Sequence, residues 1–73
     1  MGKKNFRLVK IDWRNSSCRI LINGMYSFYG DTVRVTTVIE DWIFFEFKTG
    51  DRAGKYNRCQ IEEFILQNPE IVE

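Results

Sequence analysis

An all-β fold ending in one short C-terminal helix is predicted by three features of the chain. Residues that favour strands recur in short alternating runs at 6–13, 18–22, 25–29, 32–39 and 42–48. Turn chemistry separates these runs: Arg14-Asn15-Ser16-Ser17, Asn23-Gly24, Glu40-Asp41 and the stretch 49–54. A helical stripe, Ile61, Phe64 and Ile65, comes only after them and is stopped by Asn68-Pro69. Five or six short antiparallel strands of this kind are expected to curl into a small closed barrel spanning residues 1–73 as one domain.

The first three runs read as a meander. A four-residue turn at 14–17 sets Trp13 opposite Cys18, Ile11 opposite Ile20 and Val9 opposite Ile22. Asn23-Gly24, whose residues tolerate the positive φ of a type I′ turn, then sets Ile22 opposite Met25 and Cys18 opposite Tyr29. Side chains alternate with period two along a strand. Both turns therefore place Val9, Ile11, Trp13, Cys18, Ile20, Ile22, Met25 and Tyr29 on one face, with Ser27 as its polar member. The other face holds Lys10, Asp12, Arg19, Leu21, Tyr26 and Phe28, with Asp12 across from Arg19 and Arg19 across from Phe28. Phe6 and Leu8 fall on the wrong side for burial.

The second half repeats the pattern. A two-residue loop at Glu40-Asp41 puts Val35 opposite Glu46 and mixes the faces. A three-residue loop that includes Trp42 pairs Ile39 with Ile43, Thr37 with Phe45 and Val35 with Phe47. Burying a charged side chain costs more than adopting the longer hairpin, so the second register is expected. It gives a core of Val33, Val35, Ile39, Ile43, Phe45 and Phe47. Trp42 then sits in the turn, and Phe44 points outward with Val38. Lys55-Tyr56 begins a closing strand, Asn57 caps the helix with Gln60 reaching back, and residues 70–73 are expected to fray.

At 73 residues the chain is near the lower size limit for a domain that folds alone, and its eleven aromatics supply large buried area per residue. Two cysteines and no histidine leave too few ligands for the usual zinc sites and no disulfide framework. General acid–base chemistry wants histidine or convergent carboxylates, and the carboxylates here fall mostly in turns or on the helix. Gly50-Asp51-Arg52-Ala53-Gly54 lies between strands rather than before a helix, which argues against a phosphate loop. A non-enzyme without cofactor or metal is expected. With no apolar run of signal or membrane-span length, a cytoplasmic protein without membrane contact is the expectation. Net charge is +1, but residues 1–20 carry six basic residues against one acidic, and residues 59–73 carry four acidic residues and no basic one.

The stretch Gly30-Asp31-Thr32-Val33-Arg34-Val35, followed by Trp42–Phe47, Thr49-Gly50 and Gly54-Lys55-Tyr56, resembles SH3-like small barrels of the KOW and Tudor type. The match runs over residues 30–64. KOW modules usually carry a glycine soon after the first motif, where this chain has Thr36-Thr37. Tudor domains read methylated side chains in an aromatic cage, for which Trp42, Phe44 and Tyr56 are the available walls. The resemblance implies a binding module without catalysis.

Two ligands of different class follow. The favoured one is a protein, which makes the chain an interaction adaptor or a small accessory inhibitor of the sort phages and mobile elements encode. Trp42, Phe44, Val38, Tyr26 and Phe28 are its candidate anchors, because rigid aromatics dominate interface energetics. Open strand edges also allow a monomer to pair weakly with a second copy. The alternative is nucleic acid, tracked by Lys3, Lys4, Arg7, Lys10, Arg19, Arg52, Lys55 and Arg58, with Tyr26 and Phe28 stacking on bases.

Overall fold

A computed structural model describes residues 5–73, so the candidate ligands Lys3 and Lys4 lie outside the described residues. Six strands form in order: β1 (Arg7–Trp13), β2 (Ser16–Ile22), β3 (Met25–Phe28), β4 (Asp31–Ile39), β5 (Trp42–Phe47) and β6 (Tyr56–Gln60). A helix, α1 (Ile61–Gln67), and a 3-10 turn (Pro69–Ile71) follow. The strands make two antiparallel sheets, β1-β2 and β3-β4-β5-β6. The expected all-β class with a short C-terminal helix is present, but the expected closed barrel is not, since β1 and β6 each pair with one neighbour only.

The sheets part at Asn23-Gly24, where a hairpin was expected. Asn23 adopts φ 70 and its N–H donates to the Val35 carbonyl (2.7 Å), while Val35 N–H donates to the Gly24 carbonyl (3.1 Å). These bonds direct the chain away from β2 and onto β4. A side chain at Gly24 would stand 2.8 Å from the Leu21 carbonyl oxygen, so the crossing needs glycine for close approach. The true hairpin turn is Tyr29-Gly30, with φ 49 and 87 and Phe28 opposite Asp31. β3 therefore shows the opposite face to the one expected. Phe28 is buried at 6% exposure and Tyr26 is half-buried, whereas Met25 and Tyr29 are exposed.

The β1–β2 loop is Arg14-Asn15, two residues rather than four, which pairs Trp13 with Ser16, Ile11 with Cys18 and Val9 with Ile20. That slip is by two residues, so every side chain keeps its expected face. The expected Asp12–Arg19 and Arg19–Phe28 pairings are replaced: Lys10 lies opposite Arg19, and Arg19 binds Glu73 at 2.9 Å.

The β4–β5 loop is likewise two residues, Glu40-Asp41, with Ile39 opposite Trp42. The expected pairs, Ile39 with Ile43, Thr37 with Phe45 and Val35 with Phe47, do not form. A bulge between Val35 and Thr37 absorbs the offset that would have set Val35 opposite Glu46, and sets Val35 opposite Phe45 and Val33 opposite Phe47. Val33, Val35, Ile43, Phe45 and Phe47 are buried as expected. On the turn side of the bulge the faces of β4 swap. Val38 packs on the core beside Ile43, and Ile39 is 55% exposed next to Trp42.

One hydrophobic cluster joins the two sheets and α1, including Ile20, Val35, Phe45, Phe28 and Phe64. Phe28 stacks at 4.7 Å from Phe45, and Phe45 lies 6.5 Å from Phe64. Helix α1 buries Ile61, Phe64 and Ile65, the stripe expected from spacing. Its N-cap is Gln60, not Asn57, and no side chain caps it. Asn57 is instead in β6 opposite Phe45, where ladder hydrogen bonds outweigh a local capping preference.

The chain end does not fray. Ile71 is buried, Cys18 bridges to Val72, and Glu73 N–H donates to the Ser17 carbonyl at 2.9 Å. Asn68, 2% exposed, ties this end to β3: Ser27 N–H donates to its Oδ1 (2.9 Å), and its Nδ2 donates to the Ser27 carbonyl (2.8 Å) and to the Phe64 carbonyl (3.2 Å). An amide side chain here plays the part of a neighbouring strand.

Candidate functional site

The side of the four-stranded sheet turned away from the core carries the most connected set of expected anchors. Three cross-strand rows build it: Arg34–Glu46–Tyr56, Thr37–Phe44–Arg58 and Ile39–Trp42–Gln60. Alternation along β5 sends Ile43, Phe45 and Phe47 inward and therefore Trp42, Phe44 and Glu46 outward. Trp42 is the first residue of β5 rather than a turn residue, and both it and Phe44 are half-buried.

Arg58 covers them. Its guanidinium carbon lies 4.2 Å from the Trp42 ring centroid and 6.0 Å from that of Phe44. Such stacking contributes about 0.5–1 kcal/mol at an exposed site and holds a long side chain that would otherwise be free. Exposed Ile39 and Tyr56 flank the stack on opposite rows, at 55% and 68% exposure. Sequence reading names Tyr56 as a candidate cage wall and places Ile39 in the core. Tyr56 is legible as the closing strand's outward residue, but Ile39 is visible only once the bulge is known.

Below this patch Arg34 donates to Glu46 at 2.9 Å and also to the Asn23 side chain, and Lys48 stands 3.7 Å from Glu46. The hydrogen bond from Arg34 holds the Glu46 carboxyl below its usual range, against the effect of desolvation. This pair is a fixed, charge-compensated margin.

The remaining expected anchors lie elsewhere. Tyr26 packs edge-on against Phe64 (5.4 Å) and its hydroxyl accepts the Leu21 N–H at 2.9 Å. Phe28 is in the core, and Val38 packs against it. The β2–β3 crossing and the β4 bulge turn these three toward the core: Phe28 is buried, and Tyr26 and Val38 are half-buried.

The basic residues are not gathered either. Arg7, Lys10 and Arg19 belong to the two-stranded sheet, whereas Arg52, Lys55 and Arg58 belong to the turn before β6 and to β6 itself. Arg19 is bound to Glu73, and Arg52 lies 3.9 Å from Asp31 with its guanidinium over the Phe47 ring.

No group of three or more His, Cys, Asp or Glu side chains that could hold a metal occurs among the described residues. A polar groove of about 240 Å³, lined by Met25, Tyr26, Ser27, Thr32, Asn68 and Glu70, falls below the roughly 300–1,000 Å³ of small-molecule pockets. No helix among the described residues is long and apolar enough to cross a membrane.

Cys18 and Cys59 are free and buried. Burial, aided by the charge of Glu63, pushes the Cys59 thiol up to about 12. The neutral thiol is thus the folded form, and its contribution to stability is complete below the ordinary value of 9.0 and is lost as pH rises towards about 12. Denaturant midpoints measured from pH 8 to 11 should fall less steeply in Cys59→Ala than in the parent. Equal slopes would remove Cys59 from the account.

Fold and surface together define a small all-β protein of two antiparallel sheets, held by one short helix, with an aromatic–arginine patch on the outer side of the larger sheet. No family model, curated protein or solved structure matches the chain.

Proposed function

We propose that the chain is a non-catalytic protein-interaction module that binds through the outer side of its four-stranded sheet. One observation carries the reading: Ile39, Trp42, Phe44, Tyr56 and Arg58 form a contiguous patch on adjacent strands, with Arg58 stacked on Trp42 at 4.2 Å. Aromatic side chains and arginine are the residue types over-represented among interface hot spots. The resemblance of residues 30–64 to SH3-like modules is in keeping with this role, and an adaptor or small inhibitor is its natural form. Nucleic acid is the weaker alternative. Among the described residues the basic side chains are divided between two sheets, and two of them already face carboxylates, which disfavours a continuous track for phosphates.

The test uses short random peptides displayed on phage and selected on the immobilised domain. Trp42→Ala should weaken the recovered peptides roughly tenfold or more while lowering Tm by less than about 10 °C. Retention on heparin or a single-stranded oligonucleotide at low salt, lost steeply as salt rises, with no peptide recovered, would replace this reading by the nucleic-acid one.

A further inference from the structure

We propose that the outer edge of β6 is where this partner docks, an extended segment of the partner protein adding as a further strand with an Asp or Glu facing Arg58. The inference rests on the interaction reading above and adds how the partner is held.

Hydrogen bonding decides which backbone groups are free. Phe47 N–H donates to the Lys55 carbonyl (2.8 Å) and Ile61 N–H to the Asp41 carbonyl (2.9 Å). The Lys55 carbonyl, both groups of Asn57 and Cys59 and the Ile61 N–H therefore turn toward β5, and both groups of Tyr56 and Arg58 and the Gln60 N–H turn to the outer edge. The Arg58 N–H is occupied by its neighbour, the Asn57 side-chain oxygen, at 2.8 Å. Both outward groups of Tyr56, the Arg58 carbonyl and the Gln60 N–H have no protein partner among the described residues, while the Gln60 carbonyl, at the N-cap, accepts the first bond of α1.

The opposite edge of the same sheet is closed at Ser27 and Tyr29. On β3, Ser27 is bound on both its N–H and C=O by Asn68, and Tyr29 N–H donates to Gln67 Oε1 at 2.7 Å. The fold thus blocks one edge of the sheet with side chains and leaves the other open. Proteins commonly blunt open edges because unpaired N–H and C=O groups recruit strands.

Charge selects the occupant. A second copy pairing antiparallel about Arg58 would set two guanidinium groups directly opposite each other, an unfavourable cross-strand pair. An acidic side chain in that position meets a guanidinium already held in place over Trp42, so less side-chain freedom is lost on pairing. Lys55, exposed at the start of the edge, adds to the positive charge there. Main-chain bonds then give affinity and the Arg58 contact gives register, the division of labour expected of strand addition.

Gln60 offers a direct test. Its φ of −72 suits proline, and its N–H is one of the edge donors, so Gln60→Pro removes that donor without touching the β5 ladder. The peptide selected most strongly from the display library is the probe, read by calorimetric titration. Gln60→Pro should weaken it about tenfold or more with little change in Tm. Methylating the peptide's amide nitrogens one at a time should abolish binding at every second position, a readout that needs only the parent protein. Arg58→Glu should weaken the peptide, and exchanging the peptide's acid for Lys should restore it. Binding lost in Trp42→Ala but indifferent to Gln60→Pro and to every N-methyl group would overturn strand addition while keeping the surface. Failure to recover any peptide would overturn the surface reading itself.

Discussion

Asn68→Asp is expected to destabilise the protein by about 3–5 kcal/mol at neutral pH, although the two side chains have almost the same shape. Asn68 is 2% exposed, and its Nδ2 faces two carbonyl oxygens, those of Ser27 and Phe64. A carboxylate oxygen in that place would have no hydrogen to donate and would bring a buried negative charge against two acceptors. Its folded-state pKa must therefore rise above the unfolded value of about 3.9. The sign follows from linkage. The variant is least penalised below that unfolded value, and the loss grows as pH rises through the higher folded value. Urea midpoints of parent and variant should converge on acidification. Parallel curves across pH 4 to 8 would show that the Asn68 amide does not hold β3 as described. Asn68→Ala, which leaves both the N–H and the C=O of Ser27 unpartnered but adds no charge, should lose stability without that pH dependence.

Phe45→Ala carries the second large effect, a loss of about 3–5 kcal/mol. Phe45 is fully buried in the middle strand pair and contacts Phe28, Phe47 and Phe64 at ring separations of 4.7, 5.4 and 6.5 Å. It thus joins β3, β5 and α1. A domain of this size is expected to have roughly 4–11 kcal/mol of total stability, so one such cavity removes a large share of it. Circular dichroism melts should show the variant largely unfolded at 37 °C or melting far below the parent, whereas Phe45→Leu, which keeps most of the volume, should stay folded. A Phe45→Ala protein within a few degrees of the parent Tm would mean the cluster can collapse onto the void.

Period-two alternation made much of this core legible in the chain. Cys18, Ile20, Ile22, Val33, Val35, Ile43, Phe45 and Phe47 are all buried where alternation puts them. The slip of the first hairpin did no harm, because a shift of two residues preserves the face. Reading failed where one residue's offset mattered. At Asn23-Gly24 the residues favour a tight hairpin, but close approach to Leu21 and bonds to Val35 carry the chain to the other sheet, so Tyr26 and Phe28 turned inward. In β4 the unpaired Thr36, its hydroxyl bound to the Phe44 carbonyl at 3.2 Å, reversed Val38 and Ile39. Most of the candidate patch is therefore readable: Trp42, Phe44, Tyr56 and Arg58 stand out in the sequence and Ile39 does not, but Arg58 is grouped there with basic residues that lie elsewhere.

By itself the sequence determined the strand class, the terminal helix stripe and most of the oily face, since each depends on local periodicity that hydrophobic burial enforces. Tertiary structure alone decided that β3 pairs with β4 and not with β2, which edge stays open and where the chain end docks. Those choices rest on hydrogen bonds between residues far apart in the chain, Asn68 with Ser27 and Glu73 with Ser17, and no local pattern encodes them.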